Sequence, residues 1–148
     1  MNQALLFVLM LFAGVGIPIM AALNASMGQH LSNPIAAVVL LCVVATCAAV
    51  VLLLLLPQPA NFSRLADAPK LSFLAGFFFI LYIGAITYSA PKIGLANAVL
   101  MVLIGQVICA ALIDHFGLFG VEQYQITLRR LMGFAVLAIG FWLVVVRH

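Results

Sequence analysis

PIAAVVLLCVVATCAAVVLLLLL, residues 34–56, decides what kind of molecule this is. The stretch has no charged side chain, and its side-chain polarity is confined to Thr46, Cys42 and Cys47. The hydrocarbon core of a bilayer is about 30 Å thick and takes about 20 residues of helix to cross, so this run reaches from one side to the other. A transmembrane β-strand would instead alternate apolar and polar residues over about ten positions. From Val50 to Leu56 the apolar side chains are unbroken. Inside lipid every backbone N–H and C=O must be satisfied within the spanning element, and for such a run only the helix does that.

Composition extends the reading to the whole chain. Of 148 residues, 68% are hydrophobic and 6% charged, with a mean hydropathy of +1.35. Soluble domains are roughly 45–50% apolar and about 25% charged. So few polar residues cannot cover the surface of a water-soluble fold of this length. The expected class is all-α: a polytopic membrane helix bundle of five transmembrane helices, forming a single domain over residues 1–148.

The expected spans are residues 4–23, 34–56, 71–89, 93–113 and 131–146. The first contains Gly14, Gly16 and Pro18 and reads as a retained anchor, because Met1-Asn2-Gln3 lacks the basic residues that open a cleavable signal. Pro57-Gln58-Pro59 stops the second, and residues 57–70 (PQPANFSRLADAPK) form a polar interfacial loop. Ala90-Pro91-Lys92 closes the third. Residues 114–130 (DHFGLFGVEQYQITLRR) lie outside the hydrocarbon. The fifth span reaches only ~24 Å, and flanking arginines snorkel from its ends.

Five spans place the two ends of the chain on opposite sides. Arg64, Lys70, Arg129 and Arg130 then share one side, and Lys92 and Arg147 the other, a bias toward a cytoplasmic N-terminus that is weak enough to permit insertion both ways. The net charge of +3 comes with no basic block, which leaves a nucleic-acid role without support. Cys42, Cys47 and Cys109 have neither paired count nor ligand spacing, so neither a disulfide framework nor a metal site is expected. No cofactor is expected either. Two Asn-x-Ser triplets, at Asn24 and Asn61, are chance matches at membrane depth.

With three acidic residues in all and no GxSxG, Walker A or HExxH motif, an enzyme is not expected. What remains is polarity within the spans, which is costly and faces protein or a water-filled cavity. Gln106 lies in the middle of the fourth span, either on a substrate or on a neighbouring helix. Asn24 is either a substrate contact or the C-cap of the first helix. Tyr82 and Tyr88 either line a cavity or anchor at the interface. Pro18 removes the hydrogen bond to the Gly14 carbonyl, so the first helix should kink or loosen over Gly14–Pro18, for gating or only for packing. Ala90, Gly94 and Ala98 recur at i, i+4, i+8 as a small-residue strip on the fourth helix, suited to close helix approach. Asp114-His115 is either a proton site or part of an interfacial turn with Phe116 to Gly120.

Asn24, Asn33-Pro34-Ile35-Ala36-Ala37, Pro91-x-x-Gly94, Gly105-Gln106, Asp114-His115-Phe116-Gly117 and Arg130-x-x-Gly133 together resemble the YdcZ-type inner-membrane exporters, a bacterial group of the drug/metabolite transporter superfamily. The resemblance covers nearly the whole chain. It implies a five-helix unit of the inner membrane that pairs with another to make a ten-helix transporter. Two places depart from it: Met20 stands where a glutamine is expected, and Ser72-Phe73-Leu74-Ala75-Gly76 replaces a Trp-x-x-Gly-Gly type of opening. The resulting expectation is a subunit of a secondary transporter exporting a small-molecule substrate. Its partners would be the lipid bilayer and a second unit, in an antiparallel homodimer or a heterodimer with a paralogue. The alternative is an accessory or structural membrane protein without transport of its own.

Overall fold

The computed structural model describes residues 2–56 and 61–145. Among them there is no β-strand, and five α-helices are long and apolar enough to cross a membrane: α1 (Gln3–His30), α2 (Pro34–Leu55), α3 (Leu74–Ile93), α4 (Leu95–Phe116) and α5 (Leu128–Val145). The chain divides into two compact units, Met1–Lys92 and Ile93–His148. The stop expected at Pro57-Gln58-Pro59 and the end of the fifth span at Val146 and Arg147 lie outside the described residues.

In the first unit, α1 does not end at Leu23 but continues to His30. Asn24, Ser26, Gln29 and His30 are polar, yet none breaks a helix. The stop comes from backbone geometry further on. Leu31 N–H donates to the Met27 carbonyl at 2.9 Å, Asn33 N–H donates to the Gly28 carbonyl at 3.0 Å, and Ser32 takes φ +50°. Asn33 then opens α2, its Oδ1 accepting from the N–H groups of Ile35 (3.0 Å) and Ala36 (3.2 Å). Pro34 follows at the first helical position, where no N–H is needed. At 28 residues α1 measures ~42 Å, longer than the hydrocarbon is thick.

The expected loosening over Gly14–Pro18 is not an interruption. α1 runs through Pro18 as one helix, because a single proline removes one hydrogen bond and the turns on either side keep theirs. A Cβ added at Gly14 or Gly16 would meet nothing within 4 Å, so neither glycine is required by close packing within the chain. The close-packed strip of α1 lies further along, where Ala21, Asn24, Ala25 and Gly28 are buried at i, i+3, i+4 and i+7. A Cβ on Gly28 would stand 3.2 Å from the Pro34 Cα, 3.3 Å from the Thr87 Cγ2 and 3.7 Å from the Ala37 Cβ. On α2 the residues buried beside this approach are Ala37 and Val38; α3 buries Ile83, Ile86, Thr87 and Ala90.

The strip expected from Ala90, Gly94 and Ala98 does not exist on one helix. α3 continues past Ser89 to Ile93 with Pro91 in its last turn, and the helical path breaks at Gly94, φ +87°. That conformation is open to glycine and strained for other residues. Ala90 therefore belongs to α3 and Ala98 to α4. Asn97 serves the break itself: its Nδ2 donates to the Ile93 carbonyl at 2.8 Å. Ahead of α3 the polar linker holds two short 3₁₀ turns, Phe62–Asp67 and Lys70–Phe73.

Gly28 supplies the clearest stability test. Gly28→Leu forces atoms into an approach that is already near contact, and overpacking of this kind costs about 1–3 kcal/mol. Thermal unfolding of the detergent-purified protein should show a lowered midpoint for Gly28→Leu and little change for Gly14→Leu. Equal effects at the two glycines would refute the close-approach account.

Candidate functional site

In a bilayer, apolar side chains gain nothing by leaving lipid for protein, so helix contacts rest on close packing and polar bonds. The first unit uses both at one place. Asn24, 6% exposed, donates from Nδ2 to the Oγ1 of Thr87, 2% exposed, at 2.7 Å. Asn24 is thus an interior residue of α1, not its C-cap, because the helix continues beyond it to His30. One turn further, Gly28 meets Thr87 and Pro34.

Above this junction opens a cavity of about 190 Å³, lined by Ala25, Gly28, Gln29, Pro34, Thr87, Tyr88, Pro91 and Lys92. Its floor is apolar or backbone-like, and its polar groups come from α3 and the end of α1. Pro91 has no N–H to offer the Thr87 carbonyl four residues earlier, so that acceptor is free of its usual partner. The Lys92 ammonium lies 3.3 Å from the centroid of the Tyr88 ring, a cation–π contact on the i, i+4 spacing of α3. A second hollow of about 430 Å³ lies along α2, lined by Ile35, Val38, Val39, Cys42, Val43, Thr46, Cys47 and Ile80, without a charged group.

Of the residues expected to contact substrate, Tyr88 lines the smaller cavity, and Asn24 does not but is bonded to Thr87, which does. Tyr82 does not line it; its hydroxyl is buried with no hydrogen-bond partner among the described residues. Gln106 belongs to the second unit, midway along α4, and is exposed on the single chain. Thr87, Gln29 and Lys92 went unrecognised in the sequence. Thr87 had a usable signal, a hydroxyl four residues before a proline inside a span. Lys92 reads from sequence only as a topology charge.

Asp114 and His115 close the second unit at the end of α4. Gly117 ends that helix in the left-handed region, φ +59°, and the segment after it folds back over the last turn. Tyr124 N–H donates to the Asp114 carbonyl at 2.9 Å, and Gln123 Nε2 to the His115 carbonyl at 2.8 Å. These satisfy carbonyls that a helix end otherwise leaves unpaired. The His115 Nδ1 accepts from Ile126 N–H at 3.3 Å, and the Asp114 carboxylate pairs with Arg130 at 2.6 Å. Thr127 caps α5, accepting the Arg130 N–H on its Oγ1 at 3.3 Å. Both side chains are engaged in the turn, as an interfacial cap requires. In the same loop the Glu122 carboxylate accepts the Tyr124 hydroxyl at 2.9 Å and raises its pKa, since ionising the phenol would lose that bond and set two negative charges together. Among the described residues no group of three or more His, Cys, Asp or Glu is placed to hold a metal ion.

Residues 5–143 match the family described as "Putative inner membrane exporter, YdcZ". The chain belongs to this family. No curated protein and no solved structure matches it. Membership and the five spanning helices make it a multi-pass protein of the inner membrane. An exporter family also points to transport rather than catalysis. Within a YdcZ-family chain, this cavity adjoins the buried Asn24–Thr87 pair and counts Lys92 among its lining residues.

The Asn24–Thr87 bond should be measurable by a double-mutant cycle of Asn24→Leu and Thr87→Val, read by unfolding in detergent. Interhelical hydrogen bonds in membranes couple by about 0.6 kcal/mol on average and up to about 1.7. A coupling toward the upper value is expected for a pair this short and buried. Strictly additive effects would show that the bond contributes nothing.

Proposed function

We propose that the chain is one unit of a small-molecule secondary exporter, and that two five-helix units pair to enclose the substrate path. The observation that carries this reading is Gln106. It is a primary amide in the middle of a membrane-spanning helix, exposed on the single chain. Transferring an unpaired amide into an apolar medium costs roughly 2–7 kcal/mol, depending on the reference. A second unit, or a water-filled path shared with one, removes that cost. Transporter sites commonly form between two such repeats near the bilayer midplane.

Pairing is antiparallel in this reading. An odd number of spans and a small basic-residue bias allow one sequence to insert both ways, or to pair with an oppositely inserted paralogue. Substrate contacts come from Tyr88 at the cavity, from Asn24, which is bonded to Thr87 of its lining, from Gln106, and from Tyr82, whose hydroxyl has no hydrogen-bond partner among the described residues. The turn at Gly14, Gly16 and Pro18 serves as the place where α1 yields during alternating access. Asp114 and His115 hold the loop that joins α4 to α5.

A thermal-shift screen of purified protein against metabolites and toxic cations tests the transport reading, because a ligand that binds the native state raises its apparent stability. A ligand found this way should also be carried by proteoliposomes, and Pro18→Ala should change its transport rate at unchanged protein level. Ligand binding without transport would remove the exporter reading.

For the pairing, Gln106→Leu should weaken dimer cross-linking in membranes without unfolding the chain. Unchanged cross-linking together with raised stability would mean that Gln106 faces lipid. A cysteine added at the C-terminus should label from both sides of the membrane in cells expressing no paralogue. Labelling from one side only would overturn the dual-insertion homodimer.

A further inference from the structure

The cavity of the first unit carries a charge signature. One of its lining residues carries a full charge, Lys92, and none carries a carboxylate. The chain has only three acidic residues, and two are engaged elsewhere: Asp114 with Arg130, and Glu122 with the Tyr124 hydroxyl. The third, Asp67, lies in the linker ahead of α3 and is not among the lining residues. The contact described for Lys92 is the face of Tyr88, 3.3 Å from the ring centroid. An aromatic face holds an ammonium in place without neutralising it, so the lysine is positioned and has no carboxylate partner among the described residues. The floor beneath it, Gly28 against Pro34, is apolar and close-packed. At about 190 Å³ the space is smaller than the roughly 300–1,000 Å³ typical of drug-sized sites.

From these observations we infer that the cavity selects a small organic anion. A carboxylate or similar anionic group lies against Lys92, and a short apolar body lies over the Gly28–Pro34 floor. Cations are disfavoured twice, by repulsion from the lysine and by the lack of an acid among the lining residues. A neutral molecule of the same shape fits the floor but lacks the charge-assisted hydrogen bond to the ammonium. This inference rests on the cavity being the substrate site of the proposed exporter and names the chemistry that the site prefers. Anionic lipid headgroups share that chemistry, so the test must separate them from a soluble anion.

Three probes of equal chain length make the comparison: butyrate, butyramide and butylammonium, at constant ionic strength. The full chain is held in nanodiscs of zwitterionic phosphatidylcholine, and stability is followed against probe concentration. Butyrate should stabilise wild type and Lys92→Arg, butyramide should act only at higher concentration, and butylammonium should not stabilise. Lys92→Gln keeps the length of the side chain and removes the charge, and should raise the half-effective butyrate concentration about tenfold or more. Equal responses to all three probes, or a butyrate response unaffected by Lys92→Gln, would overturn the inference. The same series in discs containing phosphatidylglycerol distinguishes the source of the anion. If that lipid stabilises the protein through Lys92 and abolishes the butyrate response, the cavity is a headgroup site and the inference falls. Lys92-dependent butyrate binding without transport leaves the inference standing and removes the exporter reading. Transport of a cation at full rate by the wild type, with no Lys92-dependent butyrate response, does the reverse.

Discussion

The first unit depends on one crossing, where Gly28 lies against Pro34 and Thr87 and Asn24 donates to the Thr87 hydroxyl one turn away. Lipid tails are as apolar as the leucines and valines of these helices, so burial of apolar surface supplies little drive for one helix to leave lipid for another. What remains is van der Waals contact at short range and hydrogen bonding in a medium of low polarity. Both require small residues at the crossing. Ala21, Ala25 and Gly28 let α1 present its backbone, and Asn24 places its amide within reach of α3. Ala25, Gly28, Pro34 and Thr87 of the same crossing also line the cavity.

The second unit solves a different problem. Its α4 ends in polar residues, and the last carbonyls of a helix need donors. The segment after Gly117 provides them by turning back, so that Tyr124 and Gln123 donate to Asp114 and His115. The side chains of the same two residues then fasten the start of α5, through Arg130 and Ile126. Phe119 adopts φ +59° between two glycines of positive φ and is 80% exposed. A bulky residue in that conformation is strained, and here it projects an aromatic ring outward from a loop beside two spanning helices. Such rings favour the headgroup region.

Acid groups are scarce in this chain, which gives each charge a wide influence. Asp114 pairs with Arg130 and the His115 Nδ1 accepts from Ile126 N–H, so both side chains fasten the folded chain. Lys92 has the opposite status, held against a ring and without a carboxylate partner among the described residues.

Class and architecture were legible because they follow from solvent. An uncharged run such as residues 34–56 can satisfy its backbone in lipid only as a helix, and composition extends that to five spans; the inner-membrane exporter family was reached by a resemblance of motifs. Asn33-Pro34 was legible for a local reason, since an N-cap and a proline at the first helical position act within a few residues. Several other readings depended on where a helix ends, which is a balance between breakers and continuing hydrogen bonds. Pro18 and Pro91 looked like interruptions, yet both sit inside helices, and the break falls at Gly94 where φ is positive. That displacement dissolved the apparent strip from Ala90 to Ala98 and moved close packing to α1. The partner of Asn24 lies 63 residues away, and nothing local in the sequence announces Thr87. The sequence by itself determined that this chain lives in lipid as five helices. Which small residues touch, which polar groups meet and which lysine faces a cavity were decided only by the tertiary structure, because those pairings join residues distant along the chain.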